Sequence, residues 1–560
     1  MNTEESPVNV GELQRKLSRW AEQDKGHKFY DLYHLLYDKD WLRLAHDYVA
    51  QNAGSKTAGC DGINMALFDE QLEINLQKLQ EDLKSETFTP YPVRRVYIPK
   101  SNGKVRPLGI PSIRDRIVQE ALRMVLEPIY EADFSQYSFG FRPNRSTLDA
   151  LSYIRWSSTE RKKYFWVIEG DISSYFDTIC HKRLLKLMAH RIKDGKILRL
   201  TQKFLQAGVM EGKLFKDTKE GTPQGGIVSP LLANIYLHEL DKYMEKTFLS
   251  LSSRQKDKRR AQKLGNCTYT RYADDFVVLC NGGKAQAEGI REELFQFLKE
   301  HLKLTLSKEK TKITHVNDGY TFLGYLIWRR RGQEGMTTKL LIPDTAIKKI
   351  RDKITEALDR TSTNDSAVAR IVATNQVISG WCHYYQYAAD ASRTFNWLGW
   401  HAHWKMAHWL GAKYRIDSMP EIMKKLHDGK QFTVNGCLFK STERYRSASY
   451  RKRFFPPNPY TMETVAITRE LSQLEGHWTG YERRKGMADV RTLVIQRDNL
   501  TCQQCGAKVT YSTAQVDHRR PYRRFKLPVN ANRMDNLQTL CIPCHNKKTK
   551  SDRQVESRMR

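Results

Sequence analysis

The residues best suited to chemistry fall into two groups. The first is acidic. Asp274 and Asp275 stand side by side in the stretch Tyr269-Thr-Arg-Tyr-Ala-Asp-Asp-Phe-Val-Val-Leu279. Adjacent carboxylates repel one another unless a cation joins them, and Mg²⁺, which prefers carboxylates plus substrate phosphates, suits such a place. Taken alone, an Asp-Asp pair is just as well an ordinary solvated turn. A third carboxylate, Asp171, follows the apolar run Phe165-Trp-Val-Ile168. That run is too short for a helix and reads as a buried strand, whose mouth is a rigid mount for a metal ligand. The second group is built on thiols. Cys502-Gln-Gln-Cys505 and Cys541-Ile-Pro-Cys544 are two knuckles with the spacing of a tetrahedral structural Zn²⁺ site. Disulfides are the alternative, but the other six cysteines are scattered singly, which fits a reducing compartment. Val516-Asp-His518 and Asp535-Asn-Leu537 lie between the knuckles, and His545 follows the second.

Several elements must position these groups. The aspartate pair lies between two β-branched and aromatic runs, a hairpin pattern whose tip lacks the customary Gly. Upstream, Tyr91–Pro99 alternates as a strand, turns through Lys100-Ser-Asn-Gly-Lys-Val-Arg-Pro107, and returns as a second strand. Lys100 and Arg106 would project from it. Cations there suit a triphosphate, although the pattern alone also describes a solvated basic hairpin. Arg114–Glu131 reads as a helix. The loop Ser138–Thr147, with two Arg and two Phe, suits phosphate and sugar contacts, and Ser146 or Thr147 can cap the next helix. Phe176 could set its ring against a nucleotide sugar and exclude a 2′-hydroxyl. In Glu220–Pro230, Gln224 is placed to touch a base or sugar, and Ser229-Pro230 opens a helix. Arg254–Lys263 reads as a solvated basic insertion. Residues 1–90 read as mostly helical with a small core of their own. Gly54–Gly62 is glycine-rich without the Walker spacing, a candidate to run along a nucleic-acid backbone.

Beyond the acidic group, three amphipathic helices are expected and would make a small bundle. One carries Ile347, Ile350, Ile354 and Leu358. A second carries Ile371, Asn375, Ile378, Cys382 and Tyr385, and a third runs over Phe395–Leu410. Ser441–Pro457 then interleaves Arg with Tyr, which suits phosphate contact and base stacking.

Composition narrows the class. The 560 residues hold 93 Lys and Arg against 63 Asp and Glu, a net charge of +30. Such an excess implies a polyanionic partner. No apolar run of about 18 residues is present, so a membrane-spanning protein is not expected. The first residues, Met1–Ser6, do not read as a signal peptide. A soluble intracellular nucleic-acid protein is the expectation.

The strand-end Asp171, the Pro223-Gln-Gly turn into a helix and Tyr-Ala-Asp-Asp, in that order, resemble the palm of a reverse transcriptase. From Arg94 to Phe322 the blocks are similar to those of group II intron-encoded proteins, among them Ile110–Arg116, Phe139–Asn144 and Phe322-Leu-Gly-Tyr325. Gly380-Trp-Cys-His-Tyr-Tyr385 resembles the thumb, or maturase, region of that family. The tail, with Asp-His, then Asn, then Cys-x₂-Cys-His, resembles an HNH nuclease with a Cys₄ zinc. A DNA-binding zinc ribbon would explain the cysteines alone.

The resemblance implies an α+β multidomain chain. Residues 1–90 would be a helical extension and 91–335 the fingers and palm of a right-hand polymerase with an antiparallel sheet. Residues 336–428 would be a thumb/maturase helical bundle, 429–492 a basic DNA-binding segment, and 493–560 a ββα-metal HNH domain. It implies two Mg²⁺ held by Asp171 and Asp274, with Asp275 beside them, for nucleotidyl transfer. One ion would activate the primer 3′-hydroxyl and the other would stabilise the departing pyrophosphate. Lys100, Arg106, Phe176 and Gln224 would contact the dNTP. In the tail, Asp517 and His545 would hold one divalent ion, His518 would act as general base, and Asn536 would brace its loop. Cys502, Cys505, Cys541 and Cys544 would hold Zn²⁺. The partners implied are group II intron RNA, target DNA and dNTPs, with no membrane. Nicking of DNA would supply the primer that the polymerase extends. The competing readings are a reverse transcriptase of another kind and an RNA-binding splicing maturase without polymerase or nuclease activity. The maturase-like stretch and the three intact carboxylates speak against them.

Overall fold

The computed structural model describes residues 9–99, 105–159, 162–211, 214–216, 220–222, 225–307, 311–332, 335–429, 431–440, 442, 445–450, 455–461, 491, 494–495, 497–510, 513–519 and 536–557. Lys100, Gln224 and Asp535 lie outside them.

The strands, in chain order, are β1 (Val93–Pro99), β2 (Val105–Ile110), β3 (Trp166–Gly170), β4 (Val209–Glu211), β5 (Leu214–Lys216), β6 (Cys267–Tyr272), β7 (Asp275–Cys280), β8 (Lys312–His315), β9 (Tyr320–Phe322), β10 (Tyr325–Gly332), β11 (Gly335–Leu341), β12 (Thr433–Val434), β13 (Cys437–Leu438), β14 (Ala514–His518) and β15 (Leu537–Cys541). They form five sheets. The central one has the order β6-β7-β3-β8, with every neighbour antiparallel. Its apolar residues serve two cores. Ile168 and Val278 face the helices Ile113–Glu131 and Ser229–Met244, while Val167, Val277 and Leu279 face the C-terminal helices. Burial on both faces is why β3 and β7 read as continuous apolar runs rather than alternating ones.

The second four-stranded sheet, β2-β1-β4-β5, differs from the all-antiparallel expectation. β1 pairs with β2 antiparallel but with β4 in parallel. The chain between β1 and β4 passes through the central sheet, so β4 returns in the same direction as β1.

The helical N-terminal part does not have a core of its own. Leu32, Leu35, Leu36, Trp41 and Leu42 share one core with the helix Ile113–Glu131, and the Trp41 indole N–H donates to Ala121 O at 3.0 Å. The glycine-rich loop 54–62 is pinned to the start of that helix. Arg116 donates to the carbonyls of Gly54 and Thr57, and Arg94 donates to that of Ala58.

The three expected helices form as Asp344–Ala357, Ala367–Tyr385 and Ala391–Tyr414, with Ile350, Ile354, Ile371, Ile378, Cys382, Phe395 and Leu410 buried. β11 lies across the boundary expected at 335/336 and pairs with β10 over its whole length. Near the end, β14 and β15 pair antiparallel and lead into the helix Ile542–Ser557, a ββα unit. Among the described residues no helix is long and apolar enough to cross a membrane.

Candidate active sites

The aspartate pair sits on a tight hairpin. Tyr272 pairs with Asp275, leaving Ala273-Asp274 as a two-residue turn, with Ala273 at φ 59°. Positive φ at the first turn position suits a primed turn, which usually takes Gly there. Ala pays for this conformation with strain that the surroundings must hold, and the surroundings are specific. Gly140 packs against the turn so closely that a Cβ on it would lie 2.3 Å from Ala273 N. Arg271, fully buried, donates to Ala273 O at 3.0 Å and to Asn234 Oδ1 at 2.9 Å. Asn234 in turn donates to Gly140 O at 2.8 Å. Asp241, equally buried, receives Arg271 Nε at 2.8 Å and the Tyr269 hydroxyl at 3.0 Å. The Arg271 cation overcomes the cost of burying this carboxyl and holds it well below the usual carboxylate range. Asn234 and Asp241 stand on the helix Ser229–Met244, so that helix fixes the turn. A hydrophobic-periodicity reading passes over these polar partners. Their one sequence signal is a charge within an otherwise apolar helix face.

Asp171 arrives from β3. The β3–β7 ladder ends at Gly170 opposite Phe276. One further step in that register sets Asp171 opposite Asp275, where facing Cα atoms are about 5 Å apart. Gly170 makes the approach possible: a Cβ there would lie 2.1 Å from the Phe276 ring. The Asp171 carbonyl accepts from Ser307 N–H at 2.9 Å, which fixes the strand end. The Asp274 carboxyl is pushed up, first by burial and also by the charge of Asp171, with Arg106 and Arg271 opposing. A carboxyl buried beside a second carboxylate in this way fits a cation donor set. The same interaction brings Arg106, on exposed β2, within electrostatic reach of the acidic site. Phe176 is half-buried in a short 3₁₀ turn, and its carbonyl accepts from Thr222 N–H at 2.7 Å.

For Arg142 and Phe139 the loop Ser138–Thr147 corrects the expectation of phosphate and sugar contacts, while Phe141 stays exposed. Arg142 is buried and forks onto Glu131 at 2.7 and 2.9 Å, while Arg145 donates to the carbonyls of Gln136 and Ser138. Phe139 is fully buried. The loop supports the Ala273-Asp274 turn through Gly140. Ser146 caps the following helix in a full capping box with Asp149.

Of the segment Ser441–Pro457, expected to meet DNA, residues 441, 443–444 and 451–454 lie outside the described residues, and described aromatic residues there and just beyond it contact protein. The Tyr450 hydroxyl donates to Asp149 at 2.6 Å, Phe455 packs edge-on to Tyr137, and Tyr460 bonds Glu127. The described part of the segment is a strap along residues 127–153, leaving Arg446 exposed.

The thumb-like motif docks on the hairpin turn of β9 and β10. Leu323 and Gly324 both have positive φ, and the hydroxyls of Tyr384 and Tyr385 donate to their carbonyls at 2.5 and 2.9 Å.

In the tail, the four Cys Sγ atoms lie within 4.8 Å of one another, and Cys505 and Cys541 are 3.7 Å apart. Zn–S bonds of about 2.3 Å place tetrahedral sulfurs about 3.8 Å apart, so the cluster fits zinc. Burial would raise the Cys502 thiol, but the N–H groups of Cys541, Cys505 and Gln504 outweigh it and bring the thiol down to about 6. Asp517 and His518 end β14 opposite Gln538 and Leu537, and Asn536 O accepts from Arg519 N–H. On the following helix, Lys548 Nζ lies 3.1 Å from Asp517. His545, three residues earlier, is on the same face of that helix. The Asp517 carboxylate thus faces that helix and already attracts a cation, which fits a divalent-ion ligand.

Three family models match the chain: reverse transcriptase (RNA-dependent DNA polymerase) over 98–327, group II intron maturase-specific domain over 347–427, and HNH endonuclease over 502–551. The Group II intron-encoded protein LtrA of Lactococcus lactis subsp. cremoris is 34% identical, over 95% of this chain and 97% of its own. The chain belongs to the group II intron-encoded proteins. Protein YkfC of Escherichia coli is 42% identical over 62% of this chain and 96% of its own. Nuclear intron maturase 2, mitochondrial, of Arabidopsis thaliana is 25% identical over 56% and 54%. This intron-encoded protein therefore joins reverse transcriptase, maturase and HNH endonuclease parts in one chain, and the splicing-only alternative has no support among these matches.

Proposed function

We propose that this intron-encoded protein performs target-primed reverse transcription with the residues assembled above. Its parts divide near residues 90, 428 and 492, with the remaining division just past β11, which pairs with β10. Asp171 and Asp274 hold two Mg²⁺, with Asp275 alongside. Magnesium there supplies activation of the primer 3′-hydroxyl and charge stabilisation of the leaving pyrophosphate. Arg106, together with Lys100, holds the dNTP triphosphate. Phe176 closes the space where a 2′-hydroxyl would sit, and Gln224 touches the incoming nucleotide. In the nuclease, His518 takes a proton from the attacking water, oriented by the Asn536–Arg519 backbone brace. Asp517 and His545 hold one divalent ion, which supplies charge stabilisation at the cleaved phosphate. The four cysteines hold Zn²⁺ as a structural clamp.

The observation that carries this reading is the meeting of the β3 end with the Ala273-Asp274 turn. The intron RNA and the target DNA are the two polyanions that the +30 charge serves. Asp274→Ala should abolish primer extension, by about 10³-fold or more, and leave DNA nicking intact. His518→Ala should do the reverse. Loss of both activities in either variant would overturn the two-site assignment.

A further inference from the structure

The maturase part contains a cavity that neither active site uses. It has a volume of about 440 Å³ and lies between the helices Ala391–Tyr414 and Met419–Leu426 and the β12–β13 hairpin. That is within the usual size range of small-ligand sites. Its wall carries Asn396, Trp400, His403, His427, Gln431 and Lys440. Among the described residues no carboxylate lines it, and Lys440 supplies a positive charge.

Three features point to one ligand chemistry. First, the wall offers hydrogen-bonding groups, Asn396, His403, Gln431 and Lys440 among them, with the His427 ring beside them. His427 Nδ1 accepts from Gly429 N–H at 3.1 Å, which leaves the ring proton on Nε2. That Nε2 is buried and has no hydrogen-bond partner. Burial, and the neighbouring His427, lower His403 from its usual value, so its ring stays neutral and able both to donate and to accept. Second, Trp400 stands at the cavity 66% exposed. Its ring is a stacking platform that no protein group covers to that extent. Third, Trp400 belongs to a row. Arg393, Trp397, Trp400, Trp404 and His408 recur at spacings of three and four, and all are exposed on one face of the helix. Water-facing tryptophans in a row are poor core material, but they are what unpaired bases stack on.

The geometry points to this cavity as a pocket for an unpaired RNA base, extruded from a bulge or loop and held against Trp400, with the polar wall reading its edge. Sequence-selective RNA binding works in this way, because paired A-form RNA hides its base edges in a deep, narrow groove. The inference rests on the reading that this chain binds intron RNA, and it goes further by naming one structural feature of that RNA and the wall that receives it. RNA rather than single-stranded DNA is the occupant because the cavity lies within and directly beside the maturase-specific match at 347–427.

The test uses the full-length protein and two hairpin RNAs, one with a single bulged adenosine and one fully paired, measured by fluorescence anisotropy. The wild type should bind the bulged hairpin about 5- to 150-fold more tightly, the range of one stacked base. Trp400→Ala should erase that preference while keeping affinity for the paired hairpin. Trp400 is mostly exposed, so its melting temperature should be unchanged. His427→Ala should reduce the preference without erasing it. Equal wild-type affinity for both hairpins would overturn the pocket while leaving RNA binding in place. Equal loss on both hairpins in Trp400→Ala would also overturn it, because Trp400 would then be a general contact. A bulged DNA hairpin bound as well as the RNA would overturn the choice of RNA. Binding to neither RNA would instead remove the RNA-binding reading beneath it.

Discussion

The two catalytic regions solve the same problem of holding charged groups still, but by opposite means. The polymerase turn is held by packing and by a buried polar network. Arg271, Asp241 and Asn234 are at 0–1% exposure and bond one another and the turn backbone. The surrounding core draws on helices from residue 10 to residue 302 and extends to Ile495, Val509, Ala514 and Leu540 of the tail. The nuclease thus shares an edge of that core, but its own ββα unit is small. Two short strands bury Ala514, Leu537 and Leu540, and the four-cysteine cluster stands beside them. A small unit that cannot bury enough apolar surface takes its stability from a metal instead. The two sites should therefore fail under different conditions.

Zinc removal should give the widest separation. A zinc-selective chelator, followed by resupplied Mg²⁺, should abolish nicking and remove a thermal transition belonging to the tail, since structural zinc supplies roughly 10 kcal/mol. Primer extension should persist. Its loss in step with nicking would show that the tail also supports the polymerase. Arg271→Met tests the other side. It leaves Asp241 as an unpaired buried charge, which costs about 3–5 kcal/mol. Primer extension and the main unfolding transition should both fall, and nicking should hold. An unchanged main transition would remove the buried network from the explanation.

The pH response should also divide the molecule. Burial pushes the Asp115 carboxyl, at the start of the helix Ile113–Glu131, up to about 6. Its Oδ1 has no hydrogen-bond partner. A carboxyl whose folded value is raised contributes stability when protonated, and loses it as pH climbs through that value. The polymerase transition should weaken between about pH 4 and 6, and Asp115→Asn should flatten that slope; the same slope in Asp115→Asn would assign it to another group. The smallest effect concerns the strap. Tyr450→Phe removes one hydrogen bond to a carboxylate, worth about 1.5–3 kcal/mol at most, and should lower the melting temperature of the polymerase alone. A shift confined to the tail would mean that the strap belongs with the nuclease.

The regions also differed in how plainly they could be read. Tyr-Ala-Asp-Asp, the apolar strand before Asp171 and the two cysteine knuckles are local signals, because a turn, a buried strand and a metal knuckle each take their form from neighbours in sequence. The three C-terminal helices were legible for the same reason, through their periodic apolar faces. The loop Ser138–Thr147 misled because arginine in a loop reads as solvent-exposed, whereas Arg142 is satisfied by Glu131 from a distant helix. The protein contacts of the strap were not legible either, because Tyr450 and Phe455 find partners hundreds of residues away in the chain.

Sequence alone determined which side chains are present to do chemistry and which short elements carry them, since residue type and local spacing dictate both. Tertiary structure alone decided that Gly140, Asn234 and Asp241 brace the Ala273-Asp274 turn, that Arg106 stands within electrostatic reach of Asp274, and that Trp400 stands uncovered at a cavity. Those facts depend on which distant surfaces meet, and burial gives a charged or aromatic side chain its role only once its neighbours are in place.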